Sequence, residues 1–380
     1  MTAAGVIDRS GLDALLATLG ADGYTTVGPT VRDGVIVYDT IASTDDLPIG
    51  WTDEQAPGRY RLVSRDDDRL FGYVVGPHSW KRFLYPARSV VWAGSRAEVG
   101  WEDLPPPESP TYAFFGVRGC ELAAIRIQDD VFLGDGRPAD PTYGERRRRA
   151  FIVAVDCIEP GELCFCTSMD TGPAAGDGYD LALTELGDGR FLVAVGSEDG
   201  AAVLGRLTVA EPTSQDADHR RLLLESAEHA MAPSLDTNGL RDLLVANVEH
   251  PHWERVAERC LGCTNCTVVC PTCFCSTMED ELSLDGVTAQ RTRLWDSCFT
   301  IDFAYIHGGS MRPSRAARYR QWLTHKLATW VDQFGSYGCV GCGRCITWCP
   351  VGIDLRSEVQ AIRASDVRLG APLPAPGVRT

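Results

Sequence analysis

Two stretches decide how this chain is read: Cys260-Leu-Gly-Cys263-Thr-Asn-Cys266-Thr-Val-Val-Cys270-Pro271 and Cys339-Val-Gly-Cys342-Gly-Arg-Cys345-Ile-Thr-Trp-Cys349-Pro350. Both run Cys-x2-Cys-x2-Cys-x3-Cys-Pro. Three cysteines at intervals of three wrap a short loop around three corners of a metal–sulfur cubane. Backbone N–H groups of that loop turn towards the sulfides. The fourth cysteine lies one helical turn further on and reaches the other cluster. The spacing therefore predicts one ligand set of Cys260, Cys263, Cys266 and Cys349, and a second of Cys339, Cys342, Cys345 and Cys270. Pro271 and Pro350 bend the chain after the last ligand.

This is the spacing of bacterial-type ferredoxins with two [4Fe–4S] clusters. Structural zinc sites use paired Cys-x2-4-Cys knuckles instead, so zinc is the weaker alternative. A plain ferredoxin has its motifs close together. Here residues 271–338 separate them, and a helical insertion is expected. Its clearest part is a helix over Ser314–Phe334. Ser314 can cap it; Tyr319, Trp322, Leu323, Leu327, Trp330, Val331 and Phe334 follow the 3.6-residue period; Gly335 ends it.

Upstream the pattern changes. Residues 11–19 read as a short helix. Val31–Tyr38 alternates around Asp33-Gly34, a turn between two strands. Leu70–Val75 is a further strand candidate. Tyr112–Val117 and Phe151–Val155 are compact apolar runs about 33 residues apart. A helical opening (Leu122, Ile125, Ile127) follows the first, which suits a βαβ crossover. Leu181–Leu186 and Phe191–Val195 add two strands joined at Asp188-Gly189. Residues 211–218 are polar and read as a linker. Helices are expected over about 219–232 and 239–258, and the Pro-rich tail 370–380 is expected to be loose.

The chain has 380 residues, 44% of them hydrophobic, which suits a packed protein of two or three domains. No apolar run is long enough for a membrane span, and the N-terminus does not read as a signal peptide. A net charge of −16 argues against nucleic acid or an anionic membrane as a partner. The one basic run, Arg146–Arg149, reads as a solvated helix end or loop. Lys81 and Lys326 are the only lysines. Fifteen cysteines without an export signal point to a reducing compartment and thiolate–metal chemistry.

Seven cysteines lie outside the motifs. Cys120 and Cys157 follow the two apolar strands. If those strands are parallel, both emerge at one sheet edge, where α/β folds hold ligands. Cys164 and Cys166 come seven and nine residues after Cys157 and can fold back. Four convergent thiolates suggest a third [4Fe–4S] cluster; a zinc site or buried thiols are the alternatives. Cys273-Phe-Cys275-Ser-Thr-Met278 echoes Cys164-Phe-Cys166-Thr-Ser-Met169. Cys273, Cys275 and Cys298 read as buried structural thiols, with ligands of a cluster whose fourth partner is not evident as the alternative. The histidines form no motif. No Gly-x-Gly-x-x-Gly follows a strand, and there is no Walker loop, so nothing predicts a Rossmann pocket for NAD or FAD.

Several stretches resemble a known family: Val27-Gly-Pro29, Pro57-Gly-Arg-Tyr-Arg-Leu62, Gly76-Pro-His-Ser-Trp-Lys81, Phe115-Gly-Val-Arg-Gly-Cys120, Cys164-Phe-Cys166, Cys270-Pro-Thr-Cys-Phe-Cys275, Trp295-Asp-Ser-Cys298 and Gly338-Cys-Val-Gly-Cys-Gly-Arg-Cys345. They are similar to the β subunit of cytoplasmic group 3b [NiFe]-hydrogenases, or sulfhydrogenases, and to the related A subunit of anaerobic sulfite reductase. The resemblance implies a non-catalytic electron-transfer subunit of a cytoplasmic heteromeric complex. Its partners would be a flavin- and NAD(P)-binding subunit, a small iron–sulfur subunit and the [NiFe] catalytic subunit. Electron input to a sulfite reductase, or a thiol- or polysulfide-reducing enzyme, are the competing functions.

The expected architecture is then an α/β N-terminal domain (1–210) with a candidate third cluster site, and a linker with helices (211–258). After these come an α-helical part containing a ferredoxin-like dicluster module with a long insertion (259–369), and a tail (370–380).

Overall fold

The computed structural model describes residues 3–74, 76–105, 108–134, 136, 138–231 and 235–366. The expected tail, 370–380, lies outside the described residues. From the N-terminus the strands are β1 (Ala3–Asp8), β2 (Thr25–Arg32), β3 (Val35–Thr40), β4 (Trp51–Ala56) and β5 (Arg59–Ser64). Then come β6 (Arg88–Arg96), β7 (Trp101–Asp103), β8 (Tyr112–Val117), β9 (Phe151–Val155), β10 (Leu181–Glu185) and β11 (Arg190–Val195). β12 (Ser276–Leu282) and β13 (Thr288–Trp295) lie between the two cysteine motifs.

One seven-stranded sheet has the order β1-β11-β10-β9-β8-β2-β3. Its centre, β10-β9-β8-β2, is parallel; β11, β1 and β3 join antiparallel. β8 and β9 are apolar almost throughout because both faces are covered. On one face lies the helix Arg9–Ala21. Leu12, Leu15, Leu16 and Leu19 form its buried stripe at helical spacing, and the Asp8 carboxylate caps it by accepting from Gly11 N at 2.9 Å. Burying each leucine stabilises by about 2 kcal/mol. Leu15→Ala would cost about 2–5 kcal/mol. On the other face the helix Gly119–Leu133 packs Leu122 and Ile125 with Phe114 and Ile152. The Asp33-Gly34 turn joins β2 to β3 with both residues left-handed, as the hairpin reading requires.

Four expectations are corrected. Leu70–Val74 forms no strand, because side chains take its backbone groups. Glu185 accepts from Leu70 N and Phe71 N at 2.7 and 3.1 Å, Asp53 accepts from Val74 N at 2.6 Å, and Arg118 donates to the carbonyls of Phe71 and Tyr73. Val75 lies outside the described residues.

The linker at 211–218 is the start of a helix, Ser214–Ala230. Thr213 and Asp216 cap each other there, and Asp216 also pairs with Arg190 at 2.8 Å. The second of the predicted helices breaks in two, Leu240–Ala246 and His252–Arg259, around Asn247 and Pro251.

The insertion between the motifs is not wholly helical. β12 and β13 form a hairpin at Asp285-Gly286, with Gly286 left-handed. β13 pairs with β6, completing a sheet of order β12-β13-β6-β7. The insertion is thereby stitched to the first half, and the part after 259 is not an α-helical domain. The predicted helix of the insertion is present, capped by Ser314 and ended by Gly335, but it contains a π-helical turn at His325–Thr329. Arg146–Arg148 form the last turn of the helix Pro141–Arg148, and Arg147 pairs with Asp129 at 3.0 Å. No helix among the described residues is long and apolar enough to cross a membrane.

Candidate functional site

The two motif loops repeat one backbone. Gly262 and Gly341 are left-handed at φ +67° and +65°; Thr264 and Gly343 are left-handed at +69° and +71°. A one-turn helix follows each, Asn265–Val268 and Arg344–Thr347. In each loop an amide points at the first sulfur: Gly262 N donates to Cys260 Sγ at 3.4 Å and Gly341 N to Cys339 Sγ at 3.5 Å. The second loop's last cysteine also accepts, Ile353 N to Cys349 Sγ at 3.3 Å.

Each loop walls a pocket. Cys260, Cys263, Cys266 and Cys349 line the first, with Phe299, Tyr319 and Trp322. Cys270, Cys339, Cys342 and Cys345 line the second, with Phe165, Trp322, Leu327 and Lys326. The fourth cysteine of each motif thus lies with the triplet of the other. A third pocket is lined by Cys120, Cys157, Cys164 and Cys166. Cys345 also borders the first pocket and Cys342 the third, so the second pocket lies between the other two.

The third set assembles through the parallel sheet. β8 and β9 pair in parallel, so Cys120 and Cys157 leave it at the same edge. Cys157 is held by its N–H on Pro173 O at 3.0 Å, and Cys164 by its N–H on Gly161 O at 3.0 Å. Phe165 N donates to Gly341 O at 2.8 Å, which fastens the Cys164–Cys166 segment onto the second motif loop. Glu121 follows Cys120 and pairs with Arg344 of the second motif at 2.6 Å. Trp80 Nε1 donates to the same carboxylate at 2.9 Å, and Tyr38 OH also donates to it.

Burial pushes the thiols of Cys120, Cys157 and Cys164 up and that of Cys166 to about 12. Burial does the same to Cys266 and Cys345, and takes Cys339 to about 12. Such thiols ionise when a metal takes them, so loading these pockets releases protons. The donor sets fit [4Fe–4S] clusters: four cysteines, N–H donors at sulfur and an apolar lining. Among the described residues no three His, Cys, Asp or Glu side chains sit close enough to share a single ion.

Cys273, Cys275 and Cys298 line none of the three pockets. The neighbouring Cys273 thiol, with Lys326 and Thr272, draws the Cys270 thiol pKa down. Cys298 lies near Cys275 at the base of the β12–β13 hairpin and draws the Cys275 thiol down likewise.

The sequence reading gave no role to the two lysines beside these thiols. Lys81 Nζ donates to Cys273 O at 3.1 Å and lies over Trp295; burial lowers it to about 8. Burial also works against the charge on Lys326. The thiols of Cys270, Cys273 and Cys339 outweigh it and hold the pKa above the usual lysine range. The scarcity of lysine was the available signal.

The 4Fe-4S dicluster domain family matches residues 259–353. The chain is also 38% identical, over 308 residues, to the sulfhydrogenase 2 subunit beta of Pyrococcus furiosus. The match covers 80% of this chain and 89% of that protein. No solved structure matches it. The chain therefore belongs to the family of sulfhydrogenase β subunits, as an iron–sulfur electron-transfer protein with a 4Fe-4S dicluster domain.

Proposed function

We propose that the chain relays electrons through three [4Fe–4S] sites in a row. Cys260, Cys263, Cys266 and Cys349 would hold the first, Cys270, Cys339, Cys342 and Cys345 the middle, and Cys120, Cys157, Cys164 and Cys166 the third. A bound [4Fe–4S] cluster takes up and returns one electron at a time. The chain's own residues hold the sulfurs, donate N–H groups to them and keep water out. Phe299, Tyr319 and Trp322 exclude water at the first pocket, Phe165 and Leu327 at the middle one. The observation that carries the reading is the sharing of Cys345 by the first two pockets and of Cys342 by the last two.

The ends of this row are the places for exchange with partners. Cys263 is exposed, and the apolar Leu261 and Val351 beside it are 60% and 37% exposed. The partners proposed are a flavin- and NAD(P)-binding subunit, a small iron–sulfur subunit and a [NiFe] catalytic subunit, in a cytoplasmic complex. The sulfhydrogenase relative favours this over a sulfite reductase.

The test is anaerobic purification of the native complex, with subunit identification and metal analysis. About 12 iron per copy of this chain is expected from its three sites. Cys164→Ala with Cys166→Ala should remove about 4 iron and leave the signals of the other two sites. Zinc in place of iron, or unchanged iron in the double variant, would overturn the proposal.

A further inference from the structure

Among the described residues six Lys and Arg side chains are buried: Lys81, Arg118, Arg293, Lys326, Arg344 and Arg356. Arg293, Arg344 and Arg356 each have a carboxylate, from Asp140, Glu121 and Asp354. Lys81, Arg118 and Lys326 form no ion pair with a carboxylate among the described residues. A buried charge without a counter-charge is costly and is not kept in a fold without compensation. Arg118 and Lys326 line two of the cysteine pockets, and Lys81 lies outside them. Arg118 lines the third pocket and donates to three carbonyls, of Phe71, Tyr73 and Asp156. Lys81 sits behind Cys273.

Lys326 is the most exactingly placed. It lines the middle pocket. Its Nζ donates to Thr272 Oγ1 at 2.5 Å and to Gly338 O at 2.9 Å. Thr272 Oγ1 is itself 3.2 Å from Cys270 Sγ. The helix carrying Lys326 departs from α geometry at this point: residues 325–329 form the π-helical turn. Such turns recur at functional sites because they re-aim a side chain at the cost of regular bonding. No Lys or Arg lines the first pocket.

We propose that Lys326 is the built-in counter-charge of the middle cluster and raises its reduction potential. The inference rests on the ligand sets proposed above. A cluster held by four thiolates is an anion, and the added electron makes it more negative. A fixed cation against it stabilises the reduced form, strongly so where little solvent screens the pair. Lys326 is a positioning residue: it reaches the ligand Cys270 through Thr272 and acts on electron affinity, not on a bond.

The test uses the full chain with its clusters, titrated with reductant and followed by low-temperature electron paramagnetic resonance. Cys339→Ala first identifies the middle signal by removing it. Lys326→Gln keeps a donor for Thr272 and Gly338 but removes the charge. It should shift the one-electron equilibrium of that signal at least tenfold towards the oxidised form, about 59 mV downward, and leave the other signals in place. Lys326→Arg should keep the potential within about threefold of the parent. Iron content is measured in every variant; if Lys326→Gln does not load, Lys326→Met is titrated in its place. A middle signal unmoved in a fully loaded variant overturns the inference. So does an equal shift in Lys326→Arg. If Cys339→Ala removes no signal, the ligand set fails instead, independently of Lys326.

Discussion

Gly262 and Gly341 share a left-handed backbone, yet a side chain at 262 would come no nearer than 4.0 Å to its closest neighbour, while one at 341 would meet Phe165 O at 2.5 Å. The same contrast holds two residues on. The first motif has Thr264 where the second has Gly343, and a Cβ at 343 would strike Leu163 O at 2.6 Å. One loop faces outward, with Cys263 exposed. The other is enclosed by the Cys164–Cys166 segment and by the β4–β5 hairpin. Gly58 N of that hairpin donates to Ile346 O at 3.0 Å, and Thr347 Oγ1 donates to Gln55 Oε1 at 2.7 Å. Two copies of one loop have thus become an outer and an inner site. The glycines of the inner copy are what let other backbone approach it.

The largest effect expected from this contrast is on metal. Cys349→Ala should abolish the outer site's signal, the one also lost in Cys260→Ala, with about 4 iron per chain. Iron analysis and electron paramagnetic resonance of the two variants check it. If Cys349→Ala instead matches Cys339→Ala, the crossing of ligands between the loops is refuted.

Next comes the ion pair that ties the inner loop to the sheet. Glu121 and Arg344 are both buried, and removing one partner leaves a charge unpaired. Glu121→Gln should lower the unfolding free energy by about 3–5 kcal/mol. Near the outer loop, Arg259 is half exposed and pairs with Glu358 at 2.6 Å. Arg259→Ala leaves the buried Glu358 with His252 still bonded to it and should cost about 1–3 kcal/mol, less than Glu121→Gln. Denaturant unfolding of both variants measures the difference; equal losses would mean that the two loops are held alike.

The glycines give a smaller and sharper comparison. Gly341→Ala combines left-handed strain with a backbone clash, about 2–5 kcal/mol. Gly262→Ala carries the strain alone, about 1–2 kcal/mol. The smallest effect is at Thr264, a β-branched residue at positive φ. Thr264→Gly should stabilise by less than about 1 kcal/mol, since relief of strain is partly offset by backbone entropy. Thermal melting of the loaded protein can rank all three, and a ranking with Gly262→Ala above Gly341→Ala would break the comparison.

Much of this was legible in the sequence because it depends on short-range spacing. The Cys-x2-Cys-x2-Cys loops, the strands at 112–117 and 151–155, and the helix from Ser314 are all set by local periodicity and caps. What was missed depends on remote partners. The hairpin Ser276–Trp295 reads weakly on its own. Its Asp285-Gly286 turn was the available signal, but β13 is settled by pairing with β6, nearly 200 residues away. Leu70–Val74 looks like a strand, yet Glu185, Asp53 and Arg118 compete for its backbone. The Thr213–Asp216 capping pair was in plain view inside a stretch read as linker. Lys326 fell on a helix whose pattern was correct, but its charge gains meaning only beside Cys270.

The central claim is that three four-iron sites stand in a row with the inner motif in the middle. Anomalous diffraction at the iron edge, from crystals of the anaerobically loaded chain, tests it most directly. The account predicts three compact iron peaks: one among Cys260, Cys263, Cys266 and Cys349, one among Cys120, Cys157, Cys164 and Cys166, and one between them at Cys270, Cys339, Cys342 and Cys345. Iron absent from the Cys120 set, or Cys349 bound to the same cluster as Cys339, would contradict it.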